Sequence, residues 1–341
     1  MRKAILHFGQ SNAMGYSSRE FLRNPVPAWS RTIEHNTAEP VVSQDTGAAF
    51  AYPTLANFPC LYNEQISGLL SNVVDAWGPY QGCNPPFGFK PNQQGSFGPE
   101  LSASWLYKND HPLDTMAIVK CVLGGSQMAE WIPGGSKWPL LSTMVNQATA
   151  RLNASGETWE WEYVAVGHGE SGAHSGNVTS TLYRDQCLQL FAALRAIMRP
   201  DLKFIVRRIS DTWLDDRAID YSITSVPGRV VTQTLRDSFR ASAVWRRQIQ
   251  DSLASEPGVY VYSSDGLEIR EPSIDVTGYH HSPRAVLADG ERQYACFRDA
   301  VPPPPPVPLV VRFNGSPVDW TVSLNGSPIG GNGDVIDVEE I

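Results

Sequence analysis

Five short, almost uninterrupted apolar runs, at residues 3–8, 116–123, 161–166, 203–209 and 258–262, constrain this chain more than any other feature. A strand with one wet face alternates apolar and polar residues, whereas a run that is apolar at nearly every position has to be covered on both faces. Amphipathic stretches follow the runs, at residues 100–108, 139–153, 179–198, 230–253 and 283–298. This repetition predicts an α/β fold: a three-layer α/β/α sandwich with about five parallel strands. Sheets of this kind carry their sites outside the carboxyl ends of the strands. The polar segments that follow the runs are therefore where chemistry is to be sought.

Composition narrows the classes. Of 341 residues, 42% are hydrophobic and 18% charged, enough to build the core of a large domain. The 27 basic and 35 acidic residues give a net charge of -8, which argues against the basic face of a nucleic-acid binder. No apolar run reaches the length of a membrane-spanning helix, and the stretch at residues 4–8 is too short for a secretory signal. Cys60, Cys83, Cys121, Cys187 and Cys296 are scattered, with no C-x-x-C pair, and are expected as free, buried thiols. His168, His174, His280 and His281 lack the spacing or cysteine partners of common zinc motifs. No metal or other cofactor is expected.

Three segments are distinguished by composition. Residues 1–300 form the main domain, in which residues 16–97 are rich in Pro, Gly and Asn and show little periodicity. A stretch that long without regular elements is expected to be an insertion that walls a site at the end of the first strand. Residues 301–308 are a linker holding five consecutive prolines, Pro302 to Pro306. Beyond it, residues 309–313 and 321–324 alternate like strands beside the turn signals Asn314-Gly315 and Asn325-Gly326. This small β-rich tail, 309–341, is too short for a robust core and is expected to dock on the main domain, a subunit or a larger assembly.

Four polar clusters lie where a parallel sheet would converge them. Gly9-Gln10-Ser11-Asn12, closed by Gly15, follows the first run; Gly9 permits a tight turn that lifts the serine into solvent. After the second run come Gly124-Gly125-Ser126 and Glu130-Trp131, where paired glycines can turn backbone N–H groups toward a developing oxyanion. The third run leads into Gly167-His168-Gly169-Glu170-Ser171-Gly172-Ala173. Asp275 to His281 precede the last amphipathic stretch. Each cluster taken alone is also ordinary turn composition.

Taken in order, these clusters resemble the SGNH hydrolases, in the branch of sialate O-acetylesterases and acetyl-xylan esterases of the Gly-Gln-Ser-Asn type. Gly9 to Asn12 resembles the first block of that branch, and Phe97-Gly98-Pro99-Glu100-Leu101 and Gly125-Ser126 with Glu130-Trp131 resemble further segments. His168-Gly169-Glu170-Ser171 is similar to its Gln-Gly-Glu-Ser segment, and His280 with Gly290-Glu291-Arg292 to its terminal block. The resemblance implies an SGNH, flavodoxin-like sandwich and a serine esterase that removes O-acetyl groups from a sialate- or polysaccharide-type glycan through an acyl-enzyme, without a cofactor. It implies Ser11 as nucleophile and His280 as base; Asp275 and Asp265 are the nearest acids, and Asp275 is the one expected to orient the base. Ser11, Gly125 and His168 would hold the oxyanion, and Gln10, Asn12, Glu170 and Trp131 would contact the substrate. His281 rivals His280, but neighbours on an extended segment point to opposite sides, so one of them faces Ser11. The chain departs from the branch at His168, which stands where the family has Gln, and at Thr277, which stands where it often has the acid. A glycan-directed activity without a recognisable leader would suit an enzyme borne on a virion or exported by another route.

Two other readings remain at this stage. Gly169-Glu170-Ser171-Gly172-Ala173 resembles a nucleophile elbow, which would make Ser171 the nucleophile of an α/β-hydrolase. Alternatively, Trp131 and Trp138, which flank Pro133-Gly134-Gly135, would form a sugar platform in an inactive glycan-binding module.

Overall fold

The computed structural model describes residues 2–14, 42–48, 98–112, 114–173, 182–269 and 280–300, and the backbone of strands at 59–66, 69–73, 78–79, 321–324 and 327–331. It divides into two compact units, Met1–Arg298 and Asp299–Ile341.

In the first unit the strands are β1 (Arg2–Gly9), β2 (Pro59–Ile66), β3 (Leu69–Val73), β4 (Gly78–Pro79), β5 (Thr115–Val122), β6 (Trp159–Gly167), β7 (Lys203–Arg208) and β8 (Val259–Ser263). The helices are α1 (Ser11–Met14), α2 (Glu100–Asp110), α3 (Met128–Trp131), α4 (Trp138–Ala154), α5 (Glu170–Ala173), α6 (Leu182–Ile197), α7 (Asp216–Thr224), α8 (Gln233–Ser252) and α9 (Pro283–Ala300). The five apolar runs are β1, β5, β6, β7 and β8, and they pair in parallel in the order β5-β1-β6-β7-β8. Segment 16–97, expected to lack regular elements, contributes strands: β2 joins β5 in parallel, while β3 and β4 pair antiparallel with β2. Their register extends the sheet beyond the five runs because β5 would otherwise be an open edge. The sequence missed them because their apolar residues neither alternate nor run on.

Strand side chains alternate between two helical layers. Ala4, Leu6 and Phe8 of β1 join Ala117, Val119, Cys121, Val164, Val166, Phe204 and Val206 in one core, covered by α4, α6 and α8. The α8 face is built from Phe239, Ser242, Ala243, Arg246, Ile249 and Gln250, a three-and-four spacing, and starts where the Thr232 side chain accepts the Leu235 N–H. On the opposite face α2 and α9 bring Tyr107, Tyr294 and Phe297 into ring contact with one another, and Phe297 stacks on Tyr163 of β6 at 4.6 Å. Helix α7 was missed by periodicity because it is short. It packs Ile219 and Ile223 against Phe239. Cys121 and Cys187 are free and buried, and Cys296 is half-buried; the side chains of Cys60 and Cys83 lie outside the described residues. Among the described residues no helix is long and apolar enough to cross a membrane, and no cluster suits a metal ion.

In the second unit, β9 (Thr321–Leu324) and β10 (Ser327–Gly331) pair antiparallel on either side of Asn325-Gly326. Residues 309–313 lie outside the described residues.

Charges are buried within the first unit. Lys120, in the middle of an apolar strand, is 1% exposed and pairs at 2.6 Å with Glu100 at the start of α2. Burial works against the Glu100 charge, but Lys120 holds its carboxyl below the usual range. His7 itself is pushed down to about 4 by burial. His168, just past β6, is pushed down to about 3 by burial and then by the charges of Arg246 and Arg207. Both imidazoles are therefore neutral in the fold. In the unfolded chain each takes a proton near the ordinary 6.5. Below that pH the unfolded state binds more protons, so the stability due to these two groups is complete above 6.5 and is lost as pH falls toward 3 to 4. Unfolding free energies from urea titrations should be level from pH 7.5 to about 6.5 and then fall, approaching about 1.4 kcal/mol per pH unit for each histidine by pH 5. His168→Phe, which keeps the ring, should shallow that slope by about one histidine's share; an unchanged slope would show that His168 is not held neutral.

Candidate functional site

The two neighbours of β1 arise in opposite directions: β5 lies on one side and β6 on the other. A crevice opens at such a switch point, and there α1 begins with Ser11. Gly9 lets α1 approach so closely. A Cβ on Gly9 would stand 2.3 Å from the Gly167 carbonyl oxygen and 2.6 Å from the Ala13 Cβ.

Behind Ser11, a buried polar lattice joins the strand ends. The Gln10 Nε2 donates to the Ser126 carbonyl, and its Oε1 accepts the N–H groups of Gly169 (3.1 Å) and Ser171 (3.2 Å). One amide thus ties the segments after β1, β5 and β6 together. The Asn12 Nδ2 donates to Glu170 Oε1 at 2.8 Å, and its Oδ1 accepts the His281 N–H at 2.9 Å. The same Glu170 oxygen accepts from Arg207 Nη2 at 2.6 Å, while Arg207 Nη1 donates to Asp289 Oδ2 at 2.7 Å. Tyr262 completes the row by donating to Asp289 Oδ1 at 2.9 Å. Burial opposes the Arg207 charge, but Glu170 and Asp289 outweigh it and raise its pKa above the ordinary arginine value.

These bonds involve three of the residues expected to contact the substrate. Gln10, Asn12 and Glu170 are buried and bonded to one another's loops. They brace the crevice from beneath, since a buried amide or carboxylate has to find partners inside the protein. Trp131 is also fully buried, its ring edge-on to Phe8 at 5.0 Å, and it packs the core instead of offering a sugar platform. Trp138 is half-buried against the same core. His168, expected to hold the oxyanion, is likewise buried. Its ring lies between Phe8 (5.7 Å) and Tyr183 (6.2 Å), 2% exposed, and neither ring nitrogen has a hydrogen-bond partner among the described residues. It is a ring of the apolar layer. Its carbonyl, by contrast, accepts from Tyr183 and Gln250.

Gly125 faces outward. Its φ is +77°, a left-handed conformation that favours glycine, it is exposed, and a Cβ there would meet nothing within 4 Å. The loop that carries it is pinned by a capping box in which Glu130 accepts the Gln127 N–H at 2.7 Å. The other motif residues also hold the frame. Gly98 donates to Glu100 at 2.9 Å, and Gly290 packs so tightly that a Cβ would stand 2.1 Å from the Pro99 carbonyl.

His280 and His281 reach the crevice just before α9, both buried. Burial, then the charge of Arg207, pushes the His281 imidazole well below the ordinary value. Asp275 and His174 lie outside the described residues. Asp265 is pulled down to about 2: burial opposes its charge, but bonds from Arg247 and Ser263 and the charge of Arg208 outweigh it. Its bonds to Arg247 and Arg208 leave it a member of a surface ion network. Ser171 sits in α5, its N–H spent on Gln10.

Sequence reasoning passed over Arg207, Asp289, Tyr262 and Gln250. A signal was there to use: Arg207 interrupts a strand expected to be covered on both faces, and a charge in such a place requires a buried partner.

Among solved structures, the chain is similar to a protein from Arabidopsis thaliana, at 17% identity over 87% of this chain and 98% of that one, with a TM-score of 0.49. It is also similar to a carbohydrate acetylesterase from Xanthomonas citri (15% identity, 87% of this chain and 56% of that one, TM-score 0.47). A third similar structure is NanS (13%, 87% and 97%, TM-score 0.47). No curated protein matches the chain in sequence. The family model described as a carbohydrate esterase, sialic acid-specific acetylesterase, matches residues 72–278, more than half of the chain. With three of the motif segments inside that match, this protein belongs to the sialic acid-specific acetylesterase family of carbohydrate esterases and is, at the level of that family, a carbohydrate O-acetylesterase.

Proposed function

We propose that the protein is a serine esterase that removes acetyl groups from a sialate- or polysaccharide-type glycan through an acetyl-Ser11 intermediate. The observation that carries this reading is the 2.9 Å bond from the His281 N–H to Asn12 Oδ1. It joins the residue after His280 to the residue after Ser11, which supports these two, one from each end of the main domain, as nucleophile and base. Both lie outside the stretch matched by the family model, so their roles rest on this contact and on the motif resemblance.

In the proposed reaction Ser11 Oγ attacks the acetyl carbonyl as His280 takes its proton. The N–H groups of Ser11 and Gly125 stabilise the oxyanion, a contribution of about 2.7–4 kcal/mol per donor in comparable sites. Collapse expels the sugar alkoxide, which His280 protonates. Water, activated by His280, then releases acetate and restores Ser11. Asp275 is the proposed partner of His280; Asp265, already paired with two arginines, is poorly suited to that task. His281 is poorly suited to accept the proton because burial disfavours its charged form.

Ser11→Ala should fold and lose hydrolysis of 4-nitrophenyl acetate by several orders of magnitude, while Ser171→Ala retains it. A dead Ser171→Ala beside an active Ser11→Ala would transfer the chemistry to the elbow. His280→Ala should lower kcat by about 10³-fold or more in protein of unchanged melting temperature, and His281→Gln by far less. Equal losses would remove His280 as the base.

Gly9, Ala13 and Gly167 pack closely beneath Ser11, and the proposed acyl site above them is small. Acetyl esters should therefore be cleaved faster than octanoyl esters, and an O-acetylated glycan should show a higher kcat/KM than 4-nitrophenyl acetate. A preference for octanoate would point to a lipase-like pocket and rule out the glycan reading.

A further inference from the structure

We infer that Arg207 is a positioning residue for the esterase reaction: its guanidinium holds Glu170, and through it Asn12, so that the His280–His281 segment is locked beside Ser11. The inference rests on the proposed pairing of Ser11 with His280. Its basis is a closed circuit. The His281 N–H donates to Asn12, Asn12 to Glu170, and Arg207 to Glu170 and Asp289. Asp289 lies in α9, the helix that His281 leads into, so the chain itself closes the ring. Asn12, Glu170, Arg207, Asp289 and His281 are each no more than 2% exposed.

The chemistry makes Arg207 the organising member. It is the only cation in the circuit, set between two carboxylates that belong to different segments. A guanidinium presents donors in a fixed plane, so it fixes direction as well as charge, which an ammonium does not. The Glu170 oxygen it holds is the one that receives Asn12. That contact sets the amide so that Nδ2 faces the carboxylate and Oδ1 faces the His281 N–H. If Glu170 swings, Asn12 loses its orientation and the histidine segment loses its tie to α1. None of the side chains between Arg207 and His281 needs to touch substrate, and a displacement of about 1 Å at the base is enough to cost about 100-fold in rate.

The test is a double-mutant cycle in the full chain between Arg207→Lys and Asn12→Ala, read as kcat and KM on 4-nitrophenyl acetate beside melting temperatures. Arg207→Lys keeps the charge and removes the fork. It should lower kcat about 10- to 100-fold with KM changed by no more than about twofold. In the Asn12→Ala background the same substitution should cost markedly less than it does alone, because its route to the histidine through Glu170 and Asn12 is cut and only the one through Asp289 and α9 remains. Losses that multiply, or a folded Arg207→Lys with wild-type kcat, would overturn the inference. Should Arg207→Lys not fold, Glu170→Gln against Asn12→Ala applies the same criterion to the same link. Ser11→Ala is run alongside: if it stays active, the catalytic reading fails, whatever the cycle reports about the circuit.

Discussion

A guanidinium 1% exposed at the carboxyl edge of a parallel sheet is the constraint around which this crevice is organised. Removing one such ion from water costs several kcal/mol even after the protein relaxes. Arg207 is tolerated because Glu170 arrives from the segment after β6 and Asp289 from α9, at 2.6 and 2.7 Å. Satisfying that charge therefore fixes the relative positions of two segments that are far apart in the chain. Asn12 and Tyr262 add hydrogen bonds to the two carboxylates, while Glu170 Oε2 and Arg207 Nε have no hydrogen-bond partner among the described residues, so the buried group is a network and not an isolated bridge.

The Lys120–Glu100 pair solves the same problem at β5. Both buried cations follow an apolar run on their strands, and both draw a carboxylate from a helix or turn at the carboxyl end of the sheet. The strand ends are thereby held by charge and by the Gln10 amide, and packing alone is not required to set them. That rigidity suits an esterase. Backbone N–H groups stabilise an oxyanion only when they are aimed before the charge develops.

The motif residues divide into those exposed to the crevice and those beneath it. Gly125 is open. Gln10, Asn12, Glu100, Glu170 and Trp131 are buried, and each has a structural task. The resemblance that identified the family thus rests largely on residues that shape the site, and fewer of them perform the chemistry.

Apolar continuity and amphipathic spacing were sufficient, without any structure, to locate the five central strands and the five long helices, because burial on two faces and the helical period are written locally in the chain. The order of clusters was likewise enough to point to the family. The sequence could not show that Gln10, Asn12, Glu170 and Trp131 face inward, that His168 is a ring of the core between Phe8 and Tyr183, or that β2 extends the sheet. Which side of a loop residue is wet depends on what packs against it, and here the partners are 158 residues away for Asn12 with Glu170 and 269 for Asn12 with His281. Local patterning carries no record of such separations. Only tertiary structure, by closing Arg207 between Glu170 and Asp289, decided which of these polar residues lie beneath the crevice.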